Sequence, residues 1–140
     1  MKKKRMLSIG ANYYILENNL LVPIDKIAKR KLDFMIASQK GNLNKVKHLV
    51  NLGVDIHLNE EYAFLIACEM GHLDLVEYFT ALGANVYIQD DWALVLAVEN
   101  NHLKVVKYLV NLGLDVTEEC LNIALKKKYL DIYEYLKKKK

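Results

Sequence analysis

Apolar and polar positions along this chain keep a helical period, and the period itself recurs. Leu43, Val46 and Leu49 return thirty residues later as Leu73, Val76 and Phe79, and again as Leu103, Val106 and Leu109. Spacing by three places each set on one stripe of an amphipathic α-helix. Gly53, Gly83 and Gly113 follow these helices, where a left-handed C-cap ends a helix without a Cβ penalty. Upstream of each lies a shorter apolar segment, FMIASQK, FLIACEM or LVLAVEN, in which Ala37, Ala67 and Ala97 stand in register. Small side chains there let the two helices of a unit approach closely. The stretches VDIHLNEE and ANVYIQDD after the glycines alternate in character like short turn or extended links.

The segments GNLNKVKHLVNLGVDIH from Gly41, GHLDLVEYFTALGANVY from Gly71 and NHLKVVKYLVNLGLDVT from Asn101 can be superposed. Duplicated units of this size stack into a solenoid and do not fold around a single centre. Such an array has a long continuous surface in place of the deep pocket that an enzyme ordinarily needs. No Ser/His/Asp or Cys/His constellation sits in a supporting motif, and no glycine loop is built to cradle phosphate. Catalytic residues, a metal, a cofactor and a small-molecule substrate are therefore not expected. His72 and His102 share a repeat position, but units stacked about 8–10 Å apart cannot share a zinc bound at about 2 Å, so a structural role is expected for both. Cys68 and Cys120 lack CxxC or paired-histidine spacing, which points to a reducing, intracellular compartment. Cys68 replaces a small core residue of its unit and is expected to be a buried hydrophobe, and neither is expected to act as a nucleophile.

With these residues in place, the chain resembles the ankyrin repeat. The likeness is fullest in GHLDLVEYFTALGANV, from Gly71 to Val86, and runs from about Lys31 onward through three complete copies and a shorter last one. It implies an all-α, ankyrin-type solenoid of stacked helix-turn-helix repeats with short inter-repeat turns, because the period is 30 where the family's is 33. The family's T-P-L-H tetrapeptide is absent; Leu32 to Met35, Tyr62 to Leu65, Trp92 to Val95 and Glu119 to Asn122 hold its places. Apolar packing must stand in for its hydrogen bonds. The short period and the Lys, Asn and Ile content are similar to the ankyrin proteins of giant DNA viruses, which would place the chain in a host cell's cytoplasm. What the resemblance implies for function is a non-catalytic scaffold, a monomer, that binds a protein partner.

The expected division is an N-terminal cap over 1–30 and an array over 31–140, in units 31–60, 61–90, 91–117 and 118–140. Met6 to Gly10 aligns with Leu109 to Gly113 and reads as the last turn of a truncated second helix, a repeat remnant within the cap. Pro23 breaks helix, and Ile24 to Arg30 can resume it. No run reaches the roughly 18 apolar residues of a membrane span.

Charge is segregated. Between Gly53 and Glu119 stand twelve acidic residues and two basic ones, Lys104 and Lys107, a net of −10, although the whole chain carries +3. Lysines crowd the two ends instead. They read as solvated tails; binding of nucleic acid or of an anionic membrane through them is the alternative function, and the acidic middle, which repels phosphate, disfavours it. The acid pairs Glu60 and Glu61, Asp90 and Asp91, and Glu118 and Glu119 precede successive first helices. They serve either as caps that complement helix dipoles or as a stripe along the turn edge for a basic partner. Tyr62, Met70, Tyr87 and Trp92 lie beside them as candidate anchors, with the alternative that Tyr62 and Trp92 fill the volume of the lost tetrapeptide. The partner-binding set read from sequence is thus Glu61, Tyr62, Met70, Tyr87, Asp90, Asp91, Trp92, Glu118 and Glu119. Lys47, Glu77, Lys107 and Glu134 alternate in sign at one position of successive second helices, an expected aid to stacking register.

Overall fold

The computed structural model describes residues 6–9, 12–17 and 20–140. Eight α-helices, all among these residues, form four hairpins: α1 (Ile24–Lys40) with α2 (Leu43–Asn51), α3 (Leu58–Met70) with α4 (Leu73–Ala81), α5 (Ile88–Glu99) with α6 (Leu103–Asn111), and α7 (Glu118–Lys126) with α8 (Leu130–Lys139). The first helices α1, α3, α5 and α7 pack in sequence into one layer, and α4, α6 and α8 pack successively in the other. This is the all-α ankyrin-type solenoid expected from the repeat.

One apolar cluster runs through the array between the layers. Ala37, Ala67, Ala97 and Ala124 are buried at the helix contact, as their small size predicts. Phe34 of α1 meets Phe79 of α4 edge to face, with ring centroids 6.0 Å apart. Such a contact is worth about 0.5–1.5 kcal/mol beyond its area, and here it joins the first unit to the second. The second helices bury a broader arc than their three-residue stripe foretold. Leu43, Leu73 and Leu103 are only partly buried, whereas Leu75, Val105 and Ile132, two places further on, are fully buried. Lys45 holds that place in the first unit and is exposed; no described second helix precedes it.

Gly53, Gly83 and Gly113 have φ of 97°, 92° and 107°. At the first of them Gly53 N–H donates to Val50 and Val54 N–H to Leu49, at 2.9 and 3.1 Å, the paired bonds of a Schellman motif. The links beyond are less regular than expected. Asn59, Glu60 and Glu61 are all left-handed, with φ between 53° and 65°, and so are Gln89, Asp90 and Asp91, with φ between 51° and 63°. The right-handed parts of α3 and α5 start only at Tyr62 and Trp92. A left-handed residue other than glycine costs roughly 1–2 kcal/mol, so tertiary packing must hold both triplets. Ile56 and Val86, buried just before them, contribute to that packing. The acid pairs of these two units therefore do not sit in a right-handed first turn as caps. Among the four first helices a side chain takes that role only in α7, where Thr117 accepts from Cys120 N–H at 3.3 Å.

The N-terminal segment departs from the sequence reading. Strands β1 (Met6–Ile9), β2 (Asn12–Glu17) and β3 (Leu20–Pro23) form an antiparallel meander in the order β1-β2-β3. Met6 to Ile9 is thus a strand and not the end of a truncated helix; Gly10 lies outside the described residues, as do Lys2 to Arg5. The aromatic and β-branched content of Tyr13 to Ile15 favours strand. Helix resumes directly after Pro23, where proline's missing N–H loses nothing, and α1 runs unbroken through the expected boundary at Lys31. β3 packs on α1, with Val22 buried.

The alternating charges of the second helices do not pair. Lys47 Nζ lies over the Tyr78 ring and Lys107 Nζ over the Tyr135 ring, each at 5.6 Å from the centroid. Each lysine reaches an aromatic of the following unit in place of the expected glutamate.

Candidate partner-binding surface

The first-helix layer presents a column of apolar side chains across the array. Leu32, Tyr62 and Trp92 hold equivalent places in α1, α3 and α5, and Glu119 follows in α7. One helical turn on, Ile36, Ile66, Leu96 and Ile123 form a second row, since residues four apart share a face. Leu32, Ile36 and Trp92 are exposed, Trp92 by 37%, and Tyr62, Ile66, Leu96 and Ile123 are half-buried. The sequence reading found Tyr62 and Trp92 and missed the second row. Its signal was the apolar residue that recurs one place before each register alanine, at Ile36, Ile66, Leu96 and Ile123. Met70 lies at the far end of α3, exposed by 44%.

The acids beside this column divide into two kinds. Glu60 and Asp90 stand exposed in the left-handed turns. Glu61 is buried, and its carboxylate pairs with Nδ1 of His57 through Oε1 while Oε2 has no partner among the described residues. It is thereby withdrawn from the surface stripe. The hydrogen bond to Glu61 raises the His57 pKa above its ordinary value, against a smaller opposing effect of burial, with the negative charges of Glu61 and Asp55 adding to the rise. Asp91, at the same repeat position as Glu61, instead accepts from Asp115 N–H at 3.2 Å, tying the third unit's turn to the last. Tyr87, just before α5, reaches the end of α6. Its hydroxyl donates to the Leu112 carbonyl at 3.4 Å, although the side chain remains 56% exposed.

In the last unit the register slips. Ala63, Ala93 and Cys120 are equivalent buried positions separated by 30 and then 27 residues, so Glu118 matches Glu61 and Asp91, while Glu119 matches Tyr62 and Trp92. The third acid pair is therefore one place out of line with the other two. Glu118 is exposed and pairs with Nζ of Lys140; Glu119 is exposed.

His72 and His102 pack on the unit before them. His72 Nε2 bonds the Gln39 carbonyl of the preceding unit at 2.8 Å, and the His72 and His102 rings lie where a Cβ on Gly41 or Gly71 would go. Cys68 is buried, and burial pushes its thiol well above the ordinary range; Cys120 is raised likewise, against the lowering effect of its hydrogen bonds with Thr117. Neither is poised as a thiolate nucleophile. Among the described residues no three His, Cys, Asp or Glu side chains gather to hold a metal ion, and no helix is long and apolar enough to cross a membrane.

A family model for ankyrin repeats matches residues 34–120 in three copies. The chain belongs to the ankyrin-repeat family. A search of curated proteins finds none that matches. Ankyrin repeats generally mediate protein–protein interaction and are generally non-catalytic scaffolds. In this ankyrin array the helix pairs are the family's, while the left-handed triplets at Asn59 to Glu61 and Gln89 to Asp91 shape the turn edge beside the apolar column.

Proposed function

We propose that this chain is a non-catalytic scaffold that holds a basic protein segment on its turn edge and first-helix face. The observation that carries the reading is the apolar column through Leu32, Tyr62 and Trp92, flanked by the outward acids Glu60 and Asp90. Aromatic anchors supply dissociation-limiting contacts, whereas surrounding charges mainly set association rate and its salt dependence. Tyr62, Trp92 and Met70 act as anchors. Asp90 and Glu119 attract the partner, Asp91 and Tyr87 hold the edge in shape, and Glu118 marks its end. Glu61 supports the turn from within. The array works as a monomer inside a cell, in host cytoplasm if its likeness to giant-virus ankyrin proteins reflects its source.

Kinetics of binding to a partner captured from native lysate test this. Glu60→Lys, Asp90→Lys and Glu119→Lys together should slow association at least tenfold at low salt, and Trp92→Ala should speed dissociation. A folded triple variant with unchanged association rate would remove the acids from the site. An unchanged dissociation rate in Trp92→Ala would remove the column.

A further inference from the structure

The strand register of the N-terminal meander gathers uncharged residues on one face, several of them exposed. Leu7 pairs with Tyr14 and Tyr14 with Pro23, while Leu16 pairs with Leu21. Directly paired residues of antiparallel strands share a face, and alternate residues do too. Leu7, Ile9, Tyr14, Leu16, Leu21 and Pro23 therefore stand on one side of the sheet, and none carries charge. Val22 belongs to the opposite side, where Met6 and Leu20 are exposed, and is the buried residue of β3. The uncharged side leaves Ile9, Leu16 and Leu21 exposed by 52%, 39% and 44%. Contiguous apolar surface on a folded protein marks an interaction site.

Charge selects the occupant. Residues 1–40 hold nine Lys or Arg and three Asp or Glu, a net of +6, in contrast to the −10 of residues 53–119. Lys26 and Lys29 are exposed on α1, which follows β3 without a break. A second copy docked on this face would bring two such basic segments together. Nucleic acid would use the cations but has no place for the leucines. An anionic bilayer surface uses both, because interfacial elements insert apolar side chains at the headgroup boundary while nearby Lys and Arg attract anionic lipid.

We propose that the β-meander docks the protein peripherally on anionic lipid bilayers. This goes beyond the scaffold reading and does not depend on it.

Co-sedimentation of the full chain with phosphatidylcholine vesicles, with and without about 30% phosphatidylserine, tests the proposal. Binding is expected on the anionic vesicles only, and raising salt from about 0.1 M to about 1 M should reduce it strongly. Leu16→Ser with Leu21→Ser should lower partitioning about tenfold, with helical circular dichroism unchanged; Lys26→Glu with Lys29→Glu should also lower it. No binding to anionic vesicles would overturn the proposal. So would binding that survives both serine substitutions, which would assign it to lysines alone. A vesicle-free dimer abolished by those substitutions would give the face to a second copy, and displacement by duplex DNA would give the cations to nucleic acid; either result overturns it.

Discussion

The turn that enters α5 and the turn that enters α7 solve one problem in two ways. Both lead from a glycine-capped second helix into a first helix whose buried position is Ala93 in one case and Cys120 in the other. The α5 turn takes three more residues, and three residues there, Gln89, Asp90 and Asp91, are left-handed. The α7 turn omits that coil and starts its helix with a Thr117 cap. The difference between periods of 30 and 27 is thus a left-handed coil present or absent. Its presence holds Asp90 out beside Trp92 and lets Asp91 reach the next unit's backbone.

The largest effect should come from the cores behind the inner and the terminal units. Leu75→Ala and Ile132→Ala each remove a fully buried side chain and should cost about 2–5 kcal/mol. Stability in a solenoid is shared between neighbours, so Leu75→Ala should lower the urea midpoint of the whole array. Ile132→Ala should release α7 and α8 first, visible as hydrogen exchange confined to the last unit. Equal exchange patterns in the two variants would mean that the terminal unit is as tightly coupled as the inner ones.

Glycine should have opposite signs in the two turns. Asp90→Gly relieves a left-handed residue and should stabilise by up to about 1 kcal/mol. Glu119→Gly, within right-handed α7, should destabilise by about 1 kcal/mol. Chemical denaturation of both variants checks this, and destabilisation by Asp90→Gly would rule out the left-handed coil.

The smallest effect is a pH dependence that separates the second unit from the third. His57 has its pKa raised by the bond to Glu61, whereas the third unit has Tyr87 and Asp91 at these places. A histidine raised in the folded state adds stability that is fully present below its unfolded pKa of about 6.5 and is lost as pH rises through the higher folded value. Melting temperature should therefore gain slightly on going from pH 8 to pH 5.5. His57 is largely exposed, which keeps the gain small through solvent screening. His57→Tyr, which copies the third unit, should flatten this part of the profile; an unaltered profile would show that the pair contributes nothing.

The helix pairs were legible because their signals are local and repeated: an apolar stripe, a register alanine and a closing glycine in each copy. The left-handed coils were not. Only Asn59 and the two aspartates belong to residue types enriched in that conformation, and nothing in the local sequence of Glu60, Glu61 and Gln89 announces it. Glu61 and Asp91 looked alike as members of acid pairs. Their partners separated them, the His57 ring for the buried Glu61 and the Asp115 backbone N–H for the half-buried Asp91. The β-meander was hidden by the repeat itself, since the glycine register that aligns Met6 to Gly10 with Leu109 to Gly113 outweighed the strand character of the tyrosine-rich stretch beside it. On the candidate surface, Trp92 and Tyr62 were found by departure from a family pattern, and the row through Ile36 was missed because it matches an ordinary amphipathic helix.

His72 seated over Gly41, and His102 over Gly71, gives each junction a lock and key with a direction. A histidine-led unit accepts as its predecessor only a unit that ends in a residue without a side chain. Asn101 and Tyr129 stand at the corresponding places of the last junction, where neither half of the pair is kept. A copy of residues 42–71 inserted after Gly71 would again present a glycine to His72, so the array can lengthen there by whole units. The same insertion after Asn101 would set His102 against Asn101, which carries a side chain. Exact duplication of a unit is thereby compatible with the two glycine junctions and not with the one formed at Asn101.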